Sequence, residues 1–345
     1  MKILFLGPNQ GNAYIQYLVL KKKFKIVDFI NPFEAFIFKE LSIRLFIRLN
    51  PFLFEKRINS FLLKRIRGEY DLIYIRCGEL ISENLILELK KKTKKIIYFC
   101  NDNPFVKRDK KRWKLFLPAS KHYDLIIFQD KSRLKYLNKW KIKKSLLLPP
   151  PYDPHNHKKM FLTKNEKIKY KNQVIFIGTW SPKKGEFLKK LIDYGLNLKI
   201  YGSRWNRDPE YRRYKSYIKL GHVKNPLYAK VIQSSKIAIC LFSEGHQDTI
   251  TARSVEIPAI GTAIFSYKTD AMQNILKDNE EAIYFKTPFE CYKKCIFYLK
   301  NVNLLKRVAQ KGQLKITKKL NLTNNNFLDI VIKETFKKKS KKKII

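Results

Sequence analysis

The stretch VIFIGTWSPKKGEFLKKL, residues 174–191, decides the fold. Val174 to Ile177 form an apolar run too short for a helix and suited to a strand buried on both faces. Gly178 turns the chain, and the residues beyond it carry a more polar pattern of helical period. A strand passing through a glycine into a helix opens a βαβ unit. The same alternation runs along the chain. In the first half the strand candidates are Lys2 to Gly7 (KILFLG), Lys25 to Ile30 (KIVDFI), Asp71 to Arg76 (DLIYIR), Lys95 to Cys100 (KIIYFC) and Asp124 to Gln129 (DLIIFQ). In the second half they are Val174 to Gly178, Leu198 to Gly202, Ile237 to Phe242, Ala263 to Tyr267 and Ala282 to Phe285. Continuous apolar strands separated by helices predict parallel sheets covered on both faces, because parallel neighbours need crossover connections.

Between the two series, Pro149-Pro150-Pro151 and a polar stretch to Asn172, with His155 and His157, break the rhythm and read as a linker. The expected α/β organisation is a Rossmann-like domain over 1–150, a linker over 151–172, a second Rossmann-like domain over 173–312, and a C-terminal helix with a basic tail over 313–345. A length of 345 residues suits two such domains. Two doubly wound domains that face each other bring two sets of strand C-terminal ends to one cleft, where open α/β sheets bind ligands.

With 45% hydrophobic residues and only 12 Gly and 14 Pro, the chain is neither disordered nor collagen-like. Its 73 Lys and Arg against 29 Asp and Glu give a formal charge of +44. The abundance of Lys, Ile, Asn, Phe and Tyr is also that of an AT-rich genome, so the lysines are either codon drift on solvated faces or a footprint for an anion. An anionic membrane surface or a phosphorylated ligand is a better partner for them than nucleic acid. The five cysteines (77, 100, 240, 291 and 295) form no paired framework and point to a reducing compartment. Cys291 and Cys295 lie four apart on a predicted helix face, with no second pair to complete a zinc site. Neither a signal-peptide core nor a membrane span is present, which places the expected protein in the cytoplasm, on the inner face of a membrane or free of it.

The chemistry concentrates in Phe242 to Phe265, FSEGHQDTITARSVEIPAIGTAIF. A strand ends near Phe242, a polar loop follows, a helix is expected to start at 249–252, and Gly261 ends it. Asp248 and Glu256, eight residues apart, would lie about 12 Å from each other along a helix. That is the span from the transferred sugar to the ribose of a nucleotide-sugar. The alternative is an N-cap at Asp248 or Thr249 and a surface ion pair of Arg253 with Glu256.

TARSVEIPAIGTAIF resembles the T-x-R-S-x-E-x-x-A-x-G segment of CgeB-like glycosyltransferases, relatives of the retaining GT-B group with its acidic E-x7-E pair. VIFIGTWSPKKGEFLKKL (174–191) is similar to that family's strand and phosphate loop, and IYGSRW (200–205), LGHV (220–223) and IYFCNDNP (97–104) fall where its other elements belong. The resemblance implies a GT-B fold and a nucleotide diphosphate sugar, a UDP-sugar, as co-substrate, with no further cofactor. It implies transfer to a glycan, lipid-linked or protein acceptor with retention of configuration. By the same resemblance Glu256 matches the ribose-binding Glu, Asp248 stands as a shorter acid where the related pair has its first Glu, and Arg253 matches the motif arginine. The arginine's guanidinium fork suits a diphosphate oxygen.

Beside these, Gly178, Thr179, Lys183 and Lys184 form a loop and helix start suited to phosphate. Trp180, Tyr201 and Trp205 are each a base-stacking face or an aromatic plug, and His222 and His246 are polar contacts to the donor or structural histidines. On the acceptor side Gly7, Asn9 and Gly11 follow the first strand without making a dinucleotide fingerprint. Asp28 alone would carry a nicotinamide-dinucleotide reading. Asp102 in Asn101-Asp-Asn-Pro104 is placed as a general base or as a turn cap. No D-x-D triplet occurs, so the expected transfer needs no metal and leaves the diphosphate to helix dipoles and basic side chains.

Phe33 to Arg67 sets Phe36, Ile37, Leu41, Leu45, Phe46, Leu49, Phe52 and Leu53 among Lys39, Arg44, Arg48, Lys56 and Arg57, with a break at Pro51. It reads as a basic amphipathic helix for an anionic membrane or as a packed helix with solvated cations. Six lysines in the last ten residues repel one another and favour a disordered tail.

Overall fold

The protein is described by a computed structural model covering residues 1–36, 39–48, 50–109 and 111–337. It divides into two compact units. The first is Met1–Pro149 together with Glu244–Asp248 and the segment from Asn324; the second is Pro150–Ser243 with Thr249–Thr323.

The first unit is built on β1 (Lys2–Leu6), β2 (Ile26–Ile30), β3 (Tyr70–Ile75), β4 (Thr93–Cys100), β5 (Leu125–Phe128) and β6 (Ser145–Leu147). They pair in the order β2-β1-β3-β4-β5-β6, parallel throughout. Period-two alternation sorts the apolar side chains onto two faces. Leu4, Leu6, Ile73, Ile75, Tyr98 and Phe128 meet Ile58 and Leu62 of the helix Glu55–Arg65 and Leu85 and Leu89 of the helix Glu83–Lys90. Ile3, Phe5, Tyr74, Ile97 and Phe99 meet Leu20 of the helix Gly11–Lys23 and Phe327, Leu328 and Val331 of the helix Asn324–Phe336. That apolar stripe explains why the last helix joins the first unit, although it follows the second unit in sequence.

The second unit contains β7 (Asn172–Ile177), β8 (Leu198–Gly202), β9 (Ile218–Leu220), β10 (Ser235–Cys240), β11 (Ala263–Tyr267) and β12 (Ile283–Phe285). Their order is β12-β11-β10-β7-β8-β9, again all parallel. Helices Leu227–Gln233 and Arg253–Ile260 cover one face, and Pro182–Asp193, Pro288–Lys300 and Val302–Leu314 the other. The stretch 151–172 is part of this unit: Tyr152 N–H donates to Leu322 O at 2.8 Å, and Thr163 and Glu166 form a capping box on the helix Lys164–Lys169.

Each sheet reverses its strand order once, between β1 and β3 and between β7 and β10, and these are the positions where open α/β sheets take ligands. Strands β6 and β9, which the apolar pattern did not mark, are three-residue edge strands with little buried surface. The segment 33–67, read as an amphipathic helix with a break at Pro51, is a turn at Pro32–Ala35, the helix Lys39–Arg48, a turn at Pro51–Phe54 that makes the break, and the helix Glu55–Arg65. Ile37, Leu49 and the tail residues 338–345 lie outside the described residues. All five cysteines are buried and free. Among the described residues no helix is long and apolar enough to cross a membrane.

Candidate functional site

In the second unit the switch point between β7 and β10 is built from close backbone contacts. Gly178 N–H donates to Tyr201 O at 2.9 Å, and a Cβ on Gly178 would meet the Phe176 ring at 2.7 Å. Gly202 has φ +151°, and a Cβ there would lie 2.0 Å from Gly178 O. Two glycines thus let the loops after β7 and β8 touch backbone to backbone. Trp205 seals the junction: it is 1% exposed and its Nε1–H donates to Gly178 O at 2.8 Å. It is a plug and offers no stacking face, because its ring is consumed by this packing. Tyr201 is likewise buried, and the Trp180 indole N–H donates to Asp208 at 2.9 Å.

Beyond this junction Thr179 Oγ1 lies 3.2 Å from Ser203 Oγ, and the helix Pro182–Asp193 begins. Its cap residue, Ser181, makes no side-chain cap bond, and its first turn holds no acid. Lys183 and Lys184 therefore stand in the first turn of this helix, where the positive end of its dipole favours an anion.

The helix Arg253–Ile260 places the next two groups. It starts at Arg253, later than the sequence pattern indicates, and Gly261 with φ +95° ends it. Arg253 turns its Nε–H to Ile177 O, 2.8 Å away at the tip of β7, rather than pairing with Glu256 on the helix surface. Burial draws the Arg253 guanidinium pKa down, the negative charge of Glu256 acts against this, and the group stays a cation. Glu256 is 8% exposed and receives the Tyr228 hydroxyl on Oε2 at 2.9 Å. Its Oε1 lies 3.8 Å from His157 Nε2. His157 Nδ1 accepts the Asp153 backbone N–H at 3.1 Å, which leaves the proton of a neutral ring on Nε2, directed to this side. Asn225 Nδ2 lies 3.4 Å from that same Nε2 while its Oδ1 has no partner, so a flipped amide satisfies both. Burial first and Glu256 second hold the Tyr228 hydroxyl well above its ordinary pKa, so it remains a donor. His222 is exposed on the loop after β9.

Asp248 and His246 belong to the first unit, not to the helix Arg253–Ile260. The sequence spacing predicts Asp248 on one helix with Glu256; instead Glu244–Asp248 is a separate turn held by first-unit side chains. Arg133, fully buried, donates to Asp248 Oδ1 at 2.6 Å and pairs with the buried Asp130 at 2.9 Å. Burial raises the Asp248 pKa, and Arg133 offsets part of that rise. His246 presents Nε2 3.2 Å from Asp109 Oδ2, Arg108 Nη1 lies 2.5 Å from that same Nε2 and 2.6 Å from Nδ1, and the His246 carbonyl accepts from Asn103. Ser132 Oγ donates to Gln247 O at 3.3 Å. Asp102 has Arg112 on Oδ2 at 3.0 Å, and Arg112 also reaches Glu79 at 2.5 Å, so Asp102 is one member of an ion-pair cluster. Tyr228, His157 and Arg133 do not stand out in the sequence as site residues. Only Arg133 leaves a trace there, as Asp130-x-x-Arg133.

At the switch point of the first unit, Gly7 N–H donates to Ile30 O at 3.1 Å, Asn9 is exposed, and Gly11, with φ +64°, opens the helix Gly11–Lys23. Asp28 sits inside β2, opposite Leu4, and accepts the Tyr70 hydroxyl at 2.8 Å, so it is not a free acid at a strand end.

Residues 183–325 match the family model described as glycosyl transferase-like. No curated protein matches the sequence. Among solved structures, the sucrose-phosphate synthase of Thermosynechococcus elongatus aligns with a TM-score of 0.73 at 12% identity, over 97% of this chain and 99% of that one. An E. coli structure described as trehalose-6-phosphate bound with UDP-2-fluoro glucose gives 0.67 at 13%, over 97% and 99%. Anabaena Alr3699/HepE in complex with UDP gives 0.65 at 11%, over 97% and 100%. Fold and family model together define the class: a glycosyltransferase of GT-B type. The matched stretch runs from the first turn of the helix Pro182–Asp193 through Arg253 and Glu256.

Proposed function

We propose that this chain transfers a sugar from a UDP-sugar to a glycan, lipid-linked or protein acceptor without a metal and with retention, as a CgeB-like member of the GT-B group. The observation that carries the proposal is the convergence of Gly178, Lys183, Lys184, Arg253 and Glu256 on the β7/β10 switch point of the second unit. In this reading Glu256, held by Tyr228, accepts the ribose hydroxyls. Lys183, Lys184, Arg253 and the start of the helix Pro182–Asp193 neutralise the departing diphosphate, which lowers the barrier to bond cleavage by electrostatic stabilisation. Thr179 and His222 flank the donor. Gly7, Asn9 and Gly11 take the acceptor side, with Asp102, His246 and Asp248 as polar groups of the first unit.

A thermal-shift panel of UDP, GDP, ADP, CMP, dTDP and NAD tests this reading, because a ligand that binds only the folded state raises its melting point. UDP is expected to stabilise the wild type and not Glu256→Ala. Stabilisation by NAD alone, or an equal UDP shift in both proteins, would refute it.

The proposed setting is the cytoplasmic face of an anionic membrane. Leu41, Leu45, Phe52 and Leu53 are exposed along the helix Lys39–Arg48 and the turn after it, beside Arg48, Lys56 and Arg57. Apolar side chains rimmed by cations suit an interfacial helix. Sedimentation with phosphatidylglycerol vesicles should fall when Leu53 and Phe52 are both changed to Ser. Unchanged sedimentation removes this surface from the account.

A further inference from the structure

Arg76 follows β3 at the switch point of the first unit, where its backbone N–H donates to Leu6 O at 2.7 Å. Its guanidinium is fixed on three sides. Nη1 donates to Gln16 Oε1 at 2.8 Å, Nη2 donates to Asn101 Oδ1 at 3.1 Å, and the group lies over the Phe99 ring with Cζ 4.1 Å from the centroid. The partners are themselves held: Gln16 is fully buried and also receives the Tyr74 hydroxyl at 2.9 Å, and the Asn101 carbonyl accepts Gln129 at 2.9 Å. Two acceptor bonds on Oε1 fix the Gln16 amide orientation.

The polar partners of this cation are neutral amides. Among the described residues no carboxylate lies within ion-pair distance of Arg76, and its Nε is buried without a partner. Other arginines of the same unit are treated differently. Arg112 has Glu79 and Asp102, and the fully buried Arg133 has Asp130 and Asp248. A partly desolvated guanidinium is costly unless a counter-charge compensates it. The arrangement holds the guanidinium rigid, stacked on an aromatic ring and without a carboxylate partner; Nε is buried, so a carboxylate or phosphate would meet the remaining N–H groups of Nη1 and Nη2.

We propose that Arg76 binds an anionic group on the acceptor, a phosphate or a carboxylate, so that the chain selects charged over neutral acceptors. This inference rests on the glycosyl-transfer reading above. Its test is calorimetric titration of the full chain with a hexose 6-phosphate, glucuronate, glucose and UDP, for the wild type, Arg76→Gln, Arg76→Lys and Lys64→Gln. Lys64 is exposed on the helix Glu55–Arg65 and serves as a control for loss of one positive charge.

The wild type should bind one of the two anions at least tenfold more tightly than glucose. Arg76→Gln should abolish that preference, and Arg76→Lys should keep only a small part of it, since a lysine retains charge without the fork. UDP affinity should be equal in all four proteins, which also shows that the variants are folded. Phosphate preference and carboxylate preference distinguish the two chemistries. Equal binding of glucose and the anions, or an equal loss in Lys64→Gln, overturns the proposal. A fall in UDP affinity confined to the Arg76 variants also overturns it, by moving Arg76 to the donor. Failure of the wild type to bind UDP would instead sink the glycosyl-transfer reading itself.

Discussion

Replacing Tyr228 by Phe tests whether Glu256 is oriented by the bond that the structure shows. The hydroxyl donates to Glu256 Oε2 at 2.9 Å, with Tyr228 5% and Glu256 8% exposed. A hydrogen bond to a charged group in such surroundings contributes about 1.5–3 kcal/mol. Phe keeps the ring that packs edge-on against His157 at 5.9 Å, so the substitution opens no cavity. The unfolding free energy should therefore fall by about 1.5–3 kcal/mol, since Glu256 is left buried with one bond missing. In a Glu256→Gln background the same change removes a bond to a neutral amide, and the cost should shrink to roughly 0.5–1.5 kcal/mol. The difference, about 1 kcal/mol or more, is the coupling read by a double-mutant cycle in urea.

UDP affinity should fall between about three- and tenfold in Tyr228→Phe, since 1.4 kcal/mol corresponds to tenfold. The tyrosine's folded pKa lies well above its ordinary 10.0, so its contribution is present below pH 10 and lost only above. The effect should thus be flat from about pH 6 to 9. An equal cost of Tyr228→Phe in both backgrounds would refute the reasoning.

Three further outcomes follow from the geometry. Gly202→Ala, which sets a methyl 2.0 Å from Gly178 O at φ +151°, should destabilise the second unit and weaken UDP binding, measured by urea unfolding and calorimetry; wild-type values for both would contradict the backbone junction. Arg133→Met leaves Asp130 and Asp248 buried without their cation and should cost about 3–5 kcal/mol in urea unfolding, whereas a loss below about 1 kcal/mol would show that the triad is not an energetic unit. Asp208 is held below its ordinary carboxylate pKa. Its burial acts the other way but is outweighed by bonds from Trp180, the Glu210 backbone and Lys189. A depressed folded pKa means stability that is present above the unfolded value of 3.8 and lost as pH falls through the folded one. Asp208→Asn should therefore lower the urea midpoint at pH 7, with the gap to the wild type narrowing as pH falls below 3.8 and closing below the folded-state pKa. A constant gap from pH 7 to 3 would oppose this.

The strand series was legible because buried parallel strands are continuous apolar runs: KILFLG, DLIYIR and IAICLF each overlap a strand of the structure. Ser145–Leu147 and Ile218–Leu220 escaped because these two three-residue edge strands bury too little to need such a run. The window 242–265 was legible through Gly261, which ends its helix in the left-handed region, and through the order of strand, loop and helix. What could not be read was which unit each polar residue of that window would join. Asp248 and His246 take their places from Arg133, Asp109 and Asn103, more than a hundred residues away, and no local periodicity encodes such partners. His157 lay in a stretch that looked like a polar linker, yet Asp153 turns it inward onto Tyr228 and Glu256. Trp205 looked available for stacking because sequence alone does not reveal that Gly178 O would claim its indole N–H.

Sugar transfer from a nucleotide diphosphate donor is proposed for groups of the β7/β10 switch point. Its most direct measurement is release of UDP from a panel of UDP-hexoses, with and without EDTA, by the wild type and Glu256→Ala. The wild type should turn over at least one donor, unchanged by EDTA, and Glu256→Ala should lose this turnover. No UDP release from any donor by a protein that still binds UDP, or equal release by the variant, would contradict it.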